Sequence, residues 1–145
     1  MDKDTVPSEI RRGKRVVRLS NLSKPYWPDE RITKGDLLRY YRDVAPAILP
    51  HIRDRPFTMK RYPDGWKGKP FFRKDVTNYA PAWVKRVTVS VMRREQPQQT
   101  RTIEVPIVND ELALLWMVNT GCIEAHTWYS RIDKLERPDW VIFDL

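Results

Sequence analysis

The longest uninterrupted apolar stretch of the sequence, residues 112–118 (LALLWMV), is only seven residues long. A membrane-spanning helix needs about 18–20 apolar residues, so no part of this chain is expected to cross a membrane. The first residues (MDKD) lack the apolar region of a secretory signal, and the single cysteine, Cys122, excludes an internal disulfide framework or a multi-cysteine zinc site. We therefore expect a soluble, cytoplasmic chain whose 145 residues can form one hydrophobic core.

Positive charge is concentrated in the first half of the chain. Residues 1–75 carry 19 basic and 10 acidic side chains, a net charge of +9, whereas residues 76–145 carry 8 and 9, a net charge of −1. This asymmetry favours a surface that binds a polyanion such as a nucleic acid. An ordinary solvated surface is the alternative, and no basic amphipathic helix indicates a membrane surface.

The order of predicted elements indicates an α+β fold with a mostly antiparallel sheet and two main helices. Residues 1–13 are polar and mixed in charge, which predicts a flexible lead-in to a domain that covers residues 14–145. Strands are predicted at residues 14–19, 57–62, 83–89, 102–108 and 140–144, and an exposed loop at residues 92–101.

Both predicted helices have recognisable ends. Thr33 and Asp36 have the spacing of a capping box, so the first helix is expected to begin there, and Pro46 is expected to kink or restart it. The second helix, over residues 111–119, is predicted to begin after the Asp110 cap, and a glycine at position 121 closes it.

Asp144 lies at the end of the last predicted strand. Metal-dependent phosphoryl transfer needs clustered carboxylates that share divalent cations. On a strand, however, the neighbour that shares its face is Ile142, which is no ligand. An aspartate that caps a turn is therefore the alternative interpretation.

A second group of polar residues follows at positions 126–131 (HTWYSR). In an extended segment His126, Trp128 and Ser130 would share one face. An imidazole beside a serine hydroxyl and Arg131 could bind an anion, and a packed loop with a hydrogen-bonded histidine is the alternative.

Two further patterns suggest contacts with nucleic acid. Lys60 and Arg61 end a predicted strand, and Phe71 and Phe72 follow the next turn; cations hold phosphates, and an exposed aromatic ring stacks on a base. Two adjacent phenylalanines cannot both enter one core from an extended segment, so one is expected outside, unless they lie on two sides of a folded loop.

The other pattern consists of Asn21, Lys24 and Lys34, which flank a proline-rich loop and the predicted start of the first helix. Lysines near a helix N-terminus form a phosphate pocket by simple electrostatics. Lone lysines are usually just solvated, which is the alternative here.

Together these segments resemble the polymerase domain of bacterial and archaeal ligase D, in the archaeo-eukaryotic primase superfamily. The resemblance covers about residues 14–145 and depends on a series of motifs in order rather than on any single one. The motifs are LSNLSK at 19–24, ITKGDL at 32–37, MKRYPDG at 59–65, FFRK at 71–74, HTWYSR at 126–131 and RPDWVIFDL at 137–145.

The resemblance implies nucleotide addition, often of ribonucleotides, at DNA ends during non-homologous end joining, with Mn²⁺ or Mg²⁺. The implied partners are double-stranded DNA ends with a 5′-phosphate, nucleoside triphosphates, Ku, a ligase domain or a missing second half, in a nucleoid-associated setting. By the same resemblance, a 5′-phosphate would be bound by Asn21, Lys24 and Lys34, and DNA would be contacted by Lys60, Arg61, Phe71 and Phe72. The phosphates of the incoming nucleotide would be contacted by His126 and Ser130. Asp144 would be a metal ligand and catalytic residue, and the loop at 92–101 would bridge two DNA ends.

One departure from the family bears on catalysis. The family reads Asp-Leu-Asp where this sequence reads Asp144-Leu145, and a third metal-binding aspartate normally lies further on. We therefore expect the first half of such a domain: a fragment, one part of a split protein, or a non-catalytic DNA-end binder. Its last strand should leave an apolar edge exposed, and a lone carboxylate should not support primer extension. A protein-interaction or RNA-binding module is the alternative from a different class.

Overall fold

The computed structural model of the chain describes residues 6–92 and 98–144. Within these residues the chain forms two α-helices and nine β-strands, and each strand pair is antiparallel. The elements in chain order are β1 (Glu9–Arg12), β2 (Arg15–Arg18), β3 (Pro25–Trp27), β4 (Ile32–Thr33), α1 (Lys34–Ile52), β5 (Phe57–Arg61), β6 (Phe71–Arg73), β7 (Arg86–Met92), β8 (Thr100–Pro106), α2 (Glu111–Asn119) and β9 (Cys122–Thr127). The α+β class and the two main helices are confirmed, but the strands divide into four small sheets: β1-β2, β3-β4, β6-β5-β9 and β7-β8.

Helix α1 begins at the predicted capping box. The Thr33 hydroxyl accepts a hydrogen bond from the Asp36 amide (3.2 Å), and the Asp36 carboxylate accepts one from the Thr33 amide (2.8 Å). The helix does not restart at Pro46, because α1 runs as one helix through Pro46 and Pro50. Both prolines are exposed, so the carbonyl that loses its helical partner can be solvated instead.

Helix α2 is the centre of the core. All seven residues of its apolar stretch, 112–118, are buried, and the helix contacts α1, β2 and β9. The Asp110 side chain accepts from the Ala113 amide (2.9 Å) at the start. Gly121 follows the end with φ of 93°, a left-handed conformation that glycine adopts without strain. No described helix has the combination of length and apolar character that crossing a membrane requires.

The three-stranded sheet β6-β5-β9 positions half of the predicted site residues. Phe57 and Met59 of β5 are fully buried, so Thr58 and Lys60, which alternate with them along the strand, point to the opposite face. On that face the register places Lys60 between Phe72 of β6 and Glu124 of β9. Residues far apart in sequence therefore meet on one open sheet face.

Strands β7 and β8 form a hairpin with a small core of its own, made by Val89, Ile103 and Val105. It corresponds to the strands predicted at 83–89 and 102–108, with shifted ends. Of the loop predicted at 92–101, residues 93–97 lie outside the described part of the chain.

Part of the predicted flexible lead-in is instead a strand. Glu9–Arg12 pairs with Arg15–Arg18, with Ile10 opposite Val17, and both of these apolar side chains are buried. Glu9 forms ion pairs with Arg11 and with Arg18 across the hairpin. The charged side chains that led to the prediction of flexibility therefore pair with one another along and across the two strands. Residues 1–5 lie outside the described part of the chain.

The predicted final strand at residues 140–144 is also absent. No described strand pairs with this segment, and a strand requires a hydrogen-bonding neighbour. Val141, Ile142 and Phe143 are 73%, 59% and 78% exposed. The expected exposed apolar surface is therefore present, but it lies on an unpaired segment rather than on a strand edge.

Candidate nucleic-acid interface

Glu124 joins three side chains of the open sheet face. Its Oε1 accepts hydrogen bonds from Lys60 Nζ (2.7 Å) and from the Tyr62 hydroxyl, and its Oε2 lies 3.2 Å from Nε2 of His126. The hydrogen bond from Lys60, followed by that from Tyr62, lowers the pKa of the Glu124 carboxyl to about 2. The carboxylate is therefore charged at neutral pH and can only accept hydrogen bonds.

Aromatic rings lie beside these polar groups. Phe72 packs edge-to-face against His126, with ring centroids 5.6 Å apart, and Lys60 Nζ lies 5.7 Å from the Phe72 ring centre. Phe71 lies on the other side of β6, with the Arg61 guanidinium 5.2 Å from its ring centre. Both phenylalanines are exposed, whereas the sequence analysis expects one of them to lie outside the core. Both rings are therefore open to stacking.

Lys34 occupies the first turn of α1 and is only 4% exposed. Its amide donates to the Lys24 carbonyl (2.9 Å), and the Lys24 amide donates to the Asn21 carbonyl (3.0 Å), so the loop is pinned against the helix start. Asn21 has φ of 57°, a left-handed value that asparagine tolerates better than most residues. The three residues predicted to form a phosphate pocket are thus neighbours.

The electrostatic environment of Lys34 is unusual for a lysine. Burial, with smaller contributions from the nearby charges of Lys24 and Arg61, lowers its pKa to about 8. Within the described chain, no carboxylate pairs with Lys34. Lys24, in contrast, donates to Asp64 (2.9 Å) and to the Pro63 carbonyl (2.6 Å). The Lys34 ammonium lacks a counter-charge, which an anionic ligand could supply.

Arg61 lies close to Lys34 and also to the aromatic side of the sheet. Its Nε donates to the Thr120 carbonyl (2.6 Å), and its guanidinium lies 5.9 Å from the Tyr79 ring centre. Arg73 lies 5.2 Å from the same ring. Cations and exposed aromatic rings therefore alternate along this surface, as in proteins that bind single-stranded nucleic acid.

Ser130 does not share a strand face with His126. Strand β9 ends at Thr127, and Trp128 turns inward to pack against the hairpin cluster. Ser130 is buried in the turn that follows. The extended arrangement predicted for this motif is therefore wrong beyond Thr127, because the chain leaves the sheet there.

Asp144 is exposed at the end of the unpaired segment. Among residues 6–92 and 98–144, no three histidine, cysteine, aspartate or glutamate side chains converge as a metal site would require. Since divalent cations such as Mg²⁺ and Mn²⁺ favour clustered oxygen ligands, the described residues do not by themselves fit a two-metal centre.

Arg55 is a functional candidate that the sequence does not mark. It is 2% exposed and forms a bidentate pair with Asp139 (2.6 and 2.9 Å). It also donates to the Tyr129 carbonyl (2.9 Å), and its guanidinium lies 3.9 Å from the Trp140 ring centre. Arg55 therefore fastens the segment that leads to Asp144 onto the body of the fold.

Comparison with known proteins identifies similar sequences. The family model described as LigD, primase-polymerase domain matches residues 33–145. The multifunctional non-homologous end joining protein LigD of Mycolicibacterium smegmatis is 30% identical over 131 residues, which cover 89% of this chain and 16% of that protein. The bifunctional LigD of Bacillus subtilis is 29% identical over 144 residues, covering 97% of this chain and 22% of that protein.

A solved structure is similar as well. The polymerase domain of Mycobacterium tuberculosis ligase D, determined in complex with DNA, has a TM-score of 0.70 and 35% sequence identity, and the match covers 79% of this chain and 38% of that one. The chain thus spans only a minor part of the proteins it matches. The motif series, the matched family model and the shared fold agree, and the chain belongs to the LigD primase-polymerase family.

Proposed function

We propose that this chain binds DNA ends that carry a 5′-phosphate and serves nucleotide addition in non-homologous end joining. The observation that carries the proposal is Lys34, a buried lysine whose ammonium has no carboxylate partner in the described chain and lies close to the charges of Lys24 and Arg61. A terminal phosphate would supply the missing negative charge. A similar domain was solved with DNA bound, and the relatives' names refer to end joining.

For the other predicted residues we propose the roles that the family resemblance implies. Lys60 and Arg61 would hold backbone phosphates near the pocket, and the exposed rings of Phe71 and Phe72 would stack on bases. Stacking contributes roughly 1–3 kcal/mol per base, and phosphate contacts make binding sensitive to salt. His126, on the same face as Lys60, would meet the phosphates of an incoming nucleoside triphosphate. Ser130 would reach those phosphates only by a movement of its turn.

The first test compares gapped DNA with and without a 5′-phosphate at the downstream end. The wild-type chain is expected to prefer the phosphorylated end, and Lys24→Ala should reduce this preference more than Lys67→Ala. The two lysines are matched, because each is a surface lysine paired with one aspartate, Asp64 and Asp29 respectively. Equal binding to both ends by the wild type, measured by fluorescence anisotropy, would reduce the proposal to generic basic attraction.

The pKa of Lys34 makes the preference dependent on pH. Below about pH 8 the folded chain carries this charge, and above that pH the free protein loses it, so affinity for the phosphorylated end should fall. The ratio of the two dissociation constants at about pH 7 and about pH 9.5 measures the effect. Lys34→Arg is the control, because arginine stays charged over this range. A ratio in the wild type that does not change with pH contradicts the role of Lys34.

Catalysis is a separate proposal from binding. The family resemblance implies nucleotidyl transfer with a divalent metal, and Asp144 is the residue that corresponds to its first ligand. Because no other carboxylates converge with Asp144 among the described residues, this chain alone is expected not to extend a primer with manganese and ribonucleotides. Template-dependent addition that disappears in Asp144→Ala would show that the chain holds a working metal site.

A non-catalytic DNA-end-binding module, or one part of a split protein, is the second candidate. The arrangement that favours it is a surface of cations and aromatic rings, while Asp144 belongs to no group of three metal-ligating side chains among the described residues. Competition between gapped DNA and structured RNA separates both proposals from an RNA-binding module. Nucleoside triphosphates, Ku and a ligase domain remain predicted partners of the chain.

A further inference from the structure

Lys24 is paired with a carboxylate of its own chain, although it is one of the two lysines of the proposed phosphate pocket. Its Nζ donates to the Asp64 carboxylate (2.9 Å) and to the Pro63 carbonyl (2.6 Å), so two of its three N–H donors are taken. Lys34, in contrast, has no carboxylate partner among the residues that the structure describes. Part of the positive charge of the pocket is therefore already offset before DNA arrives.

The turn that carries Asp64 is fixed against strand β3. Gly65 has φ of 83°, and a Cβ atom at this position would lie 2.8 Å from the Tyr26 carbonyl oxygen, so the turn requires glycine here. The amide of Trp66 donates to the same carbonyl (3.0 Å). On the other side of the ion pair, the Lys24 carbonyl accepts from the first turn of α1. Both partners therefore extend from backbone that is held in place.

We propose that Asp64 limits the affinity of this pocket for a 5′-phosphate, because its carboxylate offsets the charge of Lys24 and repels the phosphate. The inference rests on the proposed binding of a 5′-phosphate by Lys24 and Lys34. It adds a residue of opposite charge, which determines how strongly the pocket holds its ligand.

The sign of the effect follows from the charges. A terminal phosphate carries roughly 1.5–2 negative charges at pH 7, and like charges that share one ammonium repel each other. An end without the 5′-phosphate lacks this group, so the carboxylate opposes only the phosphodiesters further along the strand. Removal of the carboxylate charge should therefore strengthen binding of the phosphorylated end more than binding of the unphosphorylated end.

Asp64→Asn removes the charge, and the amide oxygen can still accept from Lys24, so the lysine keeps its place. The Asp64 side chain is 77% exposed, so the fold should stay intact, which thermal unfolding verifies. Fluorescence anisotropy at one fixed salt concentration gives the Kd for gapped DNA with and without the 5′-phosphate. We expect the preference for the phosphorylated end to rise about threefold, an effect of the size that an exposed ion pair allows.

Asp29→Asn is the matched control. Asp29 is also an exposed aspartate paired with one lysine, Lys67, and its replacement changes the net charge by the same amount. It should leave the ratio of the two dissociation constants unchanged. A ratio that rises equally in both variants would mean that only the net charge matters, and it would overturn the inference.

Failure of this inference is distinguishable from failure of the proposed function. If the wild type prefers the phosphorylated end and Asp64→Asn leaves that preference unchanged, Asp64 does not limit the affinity. If Asp64→Asn lowers the preference, the carboxylate positions Lys24 for the phosphate instead of opposing it. In both cases 5′-phosphate binding stands and the inference is wrong. If the wild type binds both ends equally, the phosphate pocket itself is refuted, and this inference is refuted with it.

Discussion

Lys34→Met is expected to make the chain more stable and less able to recognise a 5′-phosphate. Burial lowers the pKa of Lys34 from 10.5 to about 8. Below pH 8 the lysine is therefore protonated in both states, but it binds its proton more weakly in the folded state than in the unfolded state. This pKa difference lowers the free energy of unfolding by about 3 kcal/mol. Methionine removes that cost because it fills a similar volume without charge. The preference for the phosphorylated DNA end should fall by about tenfold or more, because a charge-assisted contact is lost.

Chemical denaturation and DNA binding on the same samples measure both effects. The stability gained by Lys34→Met should be full below pH 8 and shrink as pH rises toward 10.5, since the wild-type lysine then loses its proton in the folded state. Lys67→Met is the matched control, because Lys67 is exposed and paired with Asp29. A Lys34→Met variant that is less stable than the wild type at neutral pH would contradict the buried-charge interpretation.

Arg55→Ala is expected to release the segment between Tyr129 and Trp140. The substitution removes both hydrogen bonds to Asp139, the one to the Tyr129 carbonyl and the stacking on Trp140, and it leaves a cavity where the guanidinium was. We expect Tm to fall by roughly 5–10 °C. Trypsin should also cleave faster within the released segment, after Lys134, since the Arg137–Pro138 bond resists trypsin.

Arg53→Ala is the control for this experiment. Arg53 is two residues away, exposed, and contributes its backbone to the end of α1, so neither Tm nor cleavage should change much. Unchanged cleavage after Lys134 in Arg55→Ala would show that the segment is held by other contacts. In that case Arg55 would contribute packing alone.

Features set by neighbouring residues are the ones that the sequence predicts well. The start of α1 follows from Thr33 and Asp36, and α2 follows from an apolar stretch between a capping aspartate and a glycine. Pairing between distant segments is not encoded locally. Residues 140–144 have the composition of a strand, but a strand requires a neighbour, and none of the described strands lies beside them.

The candidate site also combines features that neighbouring residues determine with features that depend on distant segments. The lysines beside the helix start were predictable as a group, whereas the burial of Lys34 depends on how the loop from Asn21 to Lys24 folds over it. Glu124 shares a face with His126 by simple alternation, but its pairing with Lys60 requires the register of a strand 64 residues away. Arg55 carries no local signal, because a buried arginine is recognisable only from its partners.

The separation of β5 from β9 has a consequence for the order in which the chain can fold as it is synthesised. The β7-β8 hairpin joins neighbouring segments and has its own apolar cluster, so it can form once Pro106 has left the ribosome. Strand β5 emerges earlier, but its long edge must wait for Cys122–Thr127. Until then the apolar side chains of Phe57 and Met59 lack the α2 helix and the strand that complete their surroundings. The nascent chain therefore carries this edge of the binding strand unpaired while the residues between Arg61 and Cys122 are synthesised, and chaperone contact should matter most in that interval.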